Sequence, residues 1–344
     1  MTTTLHKKGV PMKNKIKLLF LFSVLMVFSF AAMILVSSGE QMNIAVTGSP
    51  KAERNYVSDI RQSCVNVSDN INEKIFNLPK VYTLPMDQSP APVPDQNGFT
   101  EDSYEDSTIS VKCWRERIEI KSKTVTANFA EVKIAHPTQL RSAFAGGSFG
   151  TKRANASKIA KSNNAVVAIN ADFYNYRSDG LFIRNGTVYR ELPYGADVLF
   201  VDSDGNFTVK SDRDAVKEGF YRKKKIYQSF SFGPALLIDG KTVKDGNRNF
   251  VCGPYDDAPR TAIGQIGTLH YLLCAIDGRS KYSEGVTVTE LADIMSRKNC
   301  MEAYNLDGGQ SSVLYFHDAV YNHVADGGER TLSDIIYFAT ALPD

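Results

Sequence analysis

The chain has 344 residues and only five cysteines, Cys64, Cys113, Cys252, Cys274 and Cys300. No two of them form a Cys-x-x-Cys pair, which argues against a structural zinc site. The odd count leaves at least one thiol without a partner inside the chain. Cys274 and Cys300 fall in segments that read as buried strand or strand entry, where a free thiol behaves as a small hydrophobe. Histidine is scarce too: there are five, with no His-Glu-x-x-His spacing, so a histidine-built metal centre is a poor fit. No Gly-x-Ser-x-Gly elbow is present to expose a serine nucleophile. A Walker-type phosphate loop is also missing. There is no basic excess either. Residues 1–17 hold five lysines and no acid, and the first acid is Glu40, which leaves 35 basic residues against 38 acidic ones in the remainder. A nucleic-acid binder would need a basic domain.

One long hydrophobic run is present, from Ile16 to Val36. About 20 apolar residues span a bilayer core. The preceding lysines orient such a segment with its N-terminus in the cytoplasm and the bulk of the chain outside. A cleaved signal peptide is the rival reading, although its apolar region is usually only about 7–15 residues long. The expected organisation is therefore a cytoplasmic tail and transmembrane signal anchor over 1–37, an extracytoplasmic stalk over 38–107 and a folded domain over 108–344. Localisation would be the cell membrane, single-pass, with the domain extracytoplasmic. The stalk reading rests on Pro79, Pro85, Pro90, Pro92 and Pro94 followed by five acids between Asp95 and Asp106, a composition that buries little apolar area.

From Thr108 onward, period-two alternation and short apolar runs predominate, and Asn-Gly and Asp-Gly pairs mark hairpins. Asn185-Gly186 is the clearest of these turns. The acids of the Asp202–Gly205 turn do not have EF-hand spacing. Helical periodicity is confined to about 151–161 and 288–297. The second helix has Thr287 as N-cap and Glu290 three residues later, a capping box that gives Glu290 a structural role. The fold class expected is mixed α/β (α+β), a single sheet-rich domain with few helices.

Four apolar strands run into polar clusters with small residues: Asn170-Ala171-Asp172, Arg260-Thr261, Asp277-Gly278-Arg279 and Asn305-Leu306-Asp307-Gly308-Gly309. If those strands share a sheet, their ends converge on one cleft. Paired carboxylates divide acid and base roles in glycoside cleavage. Arginine's planar fork suits phosphate. A set of structural salt bridges would use the same residues.

In order, Ile169–Tyr174, Phe232-Gly233-Pro234-Ala235-Leu236, Arg260-Thr261-Ala262-Ile263-Gly264, Asp277-Gly278-Arg279 with Ser283-x-Gly285-x-Thr287, and Asn305–Ser312 resemble the phosphodiester glycosidase family. The resemblance runs over about 125–341. It implies hydrolysis of sugar-1-phosphodiesters, here on cell-surface or exopolysaccharide material. Asp172, Asp277 and Asp307 would be the catalytic carboxylates. Asn170, Arg260, Arg279, Ser283, Asn305, Gly308, Gly309, Ser311 and Ser312 would bind substrate, with Arg260 and Arg279 on the phosphate. No cofactor is required, although a divalent cation such as calcium is compatible with carboxylates near glycine turns. The partners implied are a carbohydrate phosphodiester or polysaccharide, and a membrane through residues 16–36. Two departures stand out: Ala171 replaces a common glycine, and Gln310 replaces the third glycine of Asp-Gly-Gly-Gly-Ser, a strained placement if that position needs positive φ. A non-catalytic protein that binds or organises polysaccharide is the alternative, and an ordinary glycosidase a third reading.

Overall fold

The computed structural model describes residues 83–86, 90–243 and 255–342. The expected anchor, and with it Cys64 and Cys252, lies outside the described residues. Among the described residues no helix is long and apolar enough to cross a membrane.

The first sheet opens with β1 (Ser103–Glu105), β2 (Ile109–Ile120) and β3 (Lys123–Ile134). A second sheet is entered through β4 (Leu140–Phe144), helix α1 (Ala156–Ser162) and β5 (Val167–Asn170). A third is built from β6 (Gly180–Arg184), β7 (Thr187–Leu192), β8 (Asp197–Asp202), β9 (Phe207–Ser211) and, after short helices α2 (Asp212–Lys217) and α3 (Phe220–Lys223), β10 (Ile226–Phe230). The chain returns to the first sheet with β11 (Ala235–Ile238), β12 (Lys241–Thr242), β13 (Arg260–Gly267) and β14 (His270–Ile276). Helix α4 (Val288–Arg297) leads to β15 (Glu302–Leu306), and β16 (Leu314–Phe316), β17 (Ala319–Val320) and β18 (Asp334–Phe338) complete the second sheet. The strand orders are β1-β2-β3-β14-β13-β15-β11-β12, β17-β16-β5-β18-β4 and β7-β6-β10-β8-β9. The sheet-rich, helix-poor expectation is met.

The first sheet is covered on both faces, which is why β14 reads as a continuous apolar run. One face joins the central core, where Ile263, Leu273 and Leu306 meet Ile169, Ile336 and Phe338. The other is covered by α4, whose Val288, Leu291, Ala292 and Met295 recur at the spacing of one helix face. The capping box that starts α4 is formed as expected. Glu290 also ion-pairs with Lys123 at 2.6 Å, which confirms its structural role. Asn185 and Gly186 have φ of 48° and 80°, the conformation their hairpin requires.

The stalk boundary needs correction. Residues 90–107 belong to the folded unit. Ala91 and Tyr104 are buried, and β1 pairs with β2. The Ala91 amide donates to Asn163 O (3.3 Å), and Arg141, itself buried, donates to the carbonyls of Pro85 (3.1 Å) and Met86 (3.2 Å). The acid Asp106 is a turn-former, its Oδ1 accepting from the amides of Thr108 (2.6 Å) and Ile109 (3.0 Å). Helix α1 begins later than expected, at Ala156, because Ala154 is engaged in a bridge to Leu332.

Candidate active site

Three strand termini meet at one edge of the first sheet. Arg260 opens β13 opposite Ile276, the last residue of β14, and Thr261 pairs with Leu306, the last residue of β15. Asp277 and Asp307 are therefore the next residues out along two strands that flank β13, roughly 10 Å apart at ordinary strand spacing. Strand β5 of the second sheet ends over the same edge. The Asp307 amide donates to Ala171 O (3.2 Å), and Asn170 Nδ2 donates to Asp307 O (2.7 Å). Asp172 and Asp307 are thereby brought together, and Asp307 feels the Asp172 charge.

Asp172 is buried, and its carboxylate is fixed from two sides. Its Oδ1 lies 3.1 Å from Arg184 Nη2, and its Oδ2 accepts from the Ser231 amide at 3.1 Å. Arg184, on β6, is completely enclosed. Its Nε donates to Asp334 Oδ2 (2.9 Å), its Nη1 to Ile183 O (3.0 Å) and to the Ser229 carbonyl, and its guanidinium is flanked by the rings of Phe182 (3.9 Å) and Phe230 (4.3 Å). Asp334 begins β18. One guanidinium thus serves two carboxylates and joins the second sheet to the third. Burial pushes the Asp334 carboxyl upward, Arg184 opposes this and Asp172 adds to it, so the cluster holds a proton more readily than an isolated carboxylate.

Asp307 is half-buried in a turn that glycine makes possible. A Cβ on Gly308 would lie 2.8 Å from Pro259 O, and Gly309 has φ of +63°. Burial raises the Asp307 pKa. The Ser311 hydroxyl, the Arg330 charge and the Gly308 amide pull it down, and Asp172 pushes it up. The pair therefore consists of one carboxylate held against a guanidinium and one carboxyl biased toward its protonated form, a division that suits acid and base roles. Beside Asp172 is a small crevice of ≈ 10 Å³ bordered by Phe173, Arg177, Asp179, Arg190 and Ser231.

Several sequence-derived candidates turn out to be framework. Arg260 is buried and donates to the carbonyls of Val286 (3.1 Å) and Asp256 (2.8 Å), so its guanidinium holds loops together. Asn170 Oδ1 accepts from Thr261 Oγ1 (2.8 Å) and the Val313 amide (3.1 Å), which makes it a clamp between sheets. Ser283 donates to Asp277 O (2.6 Å) and accepts from the Thr126 amide (3.0 Å). Asn305 Nδ2 donates to Gly233 O (2.7 Å). Arg279 does reach the site: it is exposed, pairs with Asp326 at 2.7 Å, and its Nη2 would lie 3.2 Å from a Cβ on Gly309. The Ser311 and Ser312 side chains are buried, and the Ser311 hydroxyl acts on the Asp307 carboxyl.

Asp277 stands apart from the pair. Its Oδ1 accepts from Asn128 Nδ2 (2.8 Å) and the His323 amide (3.1 Å), yet burial outweighs both and pushes its pKa up to about 6 from an ordinary 3.8. A carboxyl whose pKa is higher folded than unfolded stabilises the fold fully below the unfolded value, and this contribution is lost as pH rises through the folded value. Stability should therefore decline by up to about 3 kcal/mol between pH 4 and pH 6 from this group. Asp277→Asn keeps both accepted hydrogen bonds and should remove that slope, leaving the variant the more stable protein at pH 7. Urea midpoints across this pH range check it; an unchanged slope counts against the assignment.

The two departures from the family pattern carry no positive-φ strain. Neither Ala171 nor Gln310 has positive φ; Gly309 occupies that conformation, and the Gln310 amide donates to Gly328 O at 3.1 Å.

The phosphodiester glycosidase family model matches residues 163–339 of this chain, from just before β5 to just after β18. The chain belongs to the phosphodiester glycosidase family. The matched segment contains the Asp172–Asp307 pair, Arg184 and Asp334, whereas β1 to β4 lie before it. Among curated proteins, the SPbeta prophage-derived uncharacterized protein YomE of Bacillus subtilis (strain 168) is 27% identical over 255 residues, covering 70% of this chain and 39% of that protein. The chain thus spans well under half the length of this relative. Two solved structures show the fold. The catalytic domain of zebrafish N-acetylglucosamine-1-phosphodiester alpha-N-acetylglucosaminidase, auto-inhibited by its pro-peptide, superposes with a TM-score of 0.57 at 19% identity over 74% of this chain and 88% of that one. A hypothetical protein from Synechocystis gives 0.50 at 15% identity over 67% and 62%.

What sequence reading missed is the Arg184–Asp334 pair, together with Arg177 and Arg330. A signal for the first existed: an arginine closing the apolar stretch Leu181-Phe182-Ile183, and an aspartate opening Ile335-Ile336-Tyr337-Phe338, each need a buried partner.

Proposed function

We propose that this domain hydrolyses glycosyl phosphodiester bonds, acting on cell-surface or exopolysaccharide material, with residues 16–36 anchoring it to the membrane. The observation that carries the reading is the pairing of Asp307, biased toward its protonated form, with the Arg184-bound Asp172, in a member of the phosphodiester glycosidase family. Asp307 gives its proton to the bridging oxygen as the bond between that oxygen and the anomeric carbon breaks, and the electron pair leaves with the phosphate. Water adds to the anomeric carbon and gives its proton to Asp172, directly or after a covalent glycosyl intermediate. Transfer of a proton back to Asp307 restores the starting state. Arg279 faces the departing phosphate.

The test compares an aryl phosphodiester of a sugar with the neutral aryl glycoside of the same sugar. The expected result is release from the phosphodiester at a kcat/KM at least about tenfold higher, as one additional charge-assisted contact would give. Activity should fall on the alkaline side as Asp307 loses its proton. Binding without release would instead make this a polysaccharide-binding protein, and equal turnover of both substrates an ordinary glycosidase.

A further inference from the structure

Next to the carboxyl pair lies a cationic cluster that the reaction leaves unused. Tyr176, 47% exposed, closes the short turn Tyr174–Tyr176 that follows Asp172. Two guanidiniums share its ring. That of Arg153 lies 4.0 Å from the centroid; that of Arg330 lies at 5.5 Å and also donates to the Tyr176 hydroxyl at 3.3 Å. The backbone explains the meeting. Asn175 Nδ2 donates to Lys152 O (3.1 Å), which fixes one strand-like segment beside the turn. Ala154 and Leu332 exchange two backbone hydrogen bonds, 3.0 and 2.7 Å long, which bring the segment of Arg330 alongside it. The nearby acid Glu329 is turned away, accepting from the Ser157 amide at 2.9 Å. Among the described residues, no carboxylate lies within ion-pair distance of Arg153 or Arg330, whereas Arg177 and Arg279 each have one. Arg330 nevertheless acts on Asp307, pulling its pKa down, so the cluster adjoins the reaction centre.

Two un-neutralised guanidiniums beside one aromatic ring present planar forks of donors to an anion. We propose that Arg153, Tyr176 and Arg330 form a second anion subsite that takes the neighbouring phosphate of a glycan carrying repeated phosphodiesters. The substrate class is then a polyanionic glycosyl-phosphate chain, not an isolated phosphodiester. This rests on the reaction proposed above and adds to it a requirement for a second charge.

The test uses the full chain and two synthetic ligands of equal sugar length, with one or two phosphodiesters. The wild type is expected to favour the two-phosphate ligand by about tenfold in kcat/KM, the worth of one hydrogen-bonded charge. In Arg153→Gln this ratio should fall toward unity, and Arg153→Lys should retain part of it. Calorimetric binding to the Asp307→Asn protein separates the two claims. Absence of turnover alone would refute the reaction, while a two-phosphate advantage that Arg153→Gln abolishes would still support the subsite. An unchanged ratio in Arg153→Gln, or no advantage in the wild type, overturns the subsite. A carboxylate-bearing glycan that gains as much as the second phosphodiester would overturn its assignment to phosphate.

Discussion

Asp307→Asn is expected to lower kcat by about 10³-fold while leaving the fold intact. The amide keeps the size of the side chain and loses only the transferable proton. Because burial raises the Asp307 pKa, the native carboxyl contributes stability at low pH that is lost as pH rises through its folded value. Removing the charge should therefore leave the variant at least as stable as the wild type above that pH. The thermal midpoint and the kinetics then move independently: activity collapses and Tm does not. Unaltered turnover in a folded Asp307→Asn protein would remove Asp307 from the chemistry. Asp172→Asn should also inactivate, but with a loss of stability, since it takes a carboxylate away from Arg184.

Arg184→Met is expected to cost about 3–5 kcal/mol, because it strands Asp172 and Asp334 without their shared cation in a fully enclosed place. For a domain of this size that is a fall in Tm of about 10 °C. The site is also a joint between sheets, since β6 supplies the arginine, β18 one aspartate and the loop after β5 the other. A second substitution separates structure from function. Adding Asp334→Leu removes one stranded charge and should restore part of the lost stability, because a buried pair replaced by apolar groups is often close to neutral. Activity should stay low, as Asp172 still lacks its counter-ion. Recovery of both together would mean that Arg184 matters only for folding.

The sequence made the sheet-rich class, the α4 capping box and the convergence of three strand ends legible, because each rests on local pattern: alternation, Thr287 with Glu290, and apolar runs that end in Asp-Gly. It did not separate contact from framework. Asn170 and Asn305 lie in the same motifs as Asp172 and Asp307, Arg260 and Ser283 in the two motifs between them, and only their bond partners reveal that they clamp backbone. Arg184 and Asp334 were hidden for a different reason. Their pairing is long-range, and each belongs to a strand whose other residues read simply as core. The stalk boundary fell too late because composition averages over a segment, whereas two buried side chains, Ala91 and Tyr104, suffice to dock it.

The claim that this is a glycosidase, breaking the bond to the anomeric carbon and not the phosphorus–oxygen bond, is tested most directly by hydrolysis in heavy-oxygen water. A sugar-1-phosphodiester is turned over by the full chain, and both products are weighed by mass spectrometry before the anomeric oxygen exchanges. Label in the released sugar, with unlabelled phosphomonoester, is the expected result. Label in the phosphate would contradict the account, since the water would then have attacked phosphorus and the Asp172–Asp307 pair would not be working on a sugar.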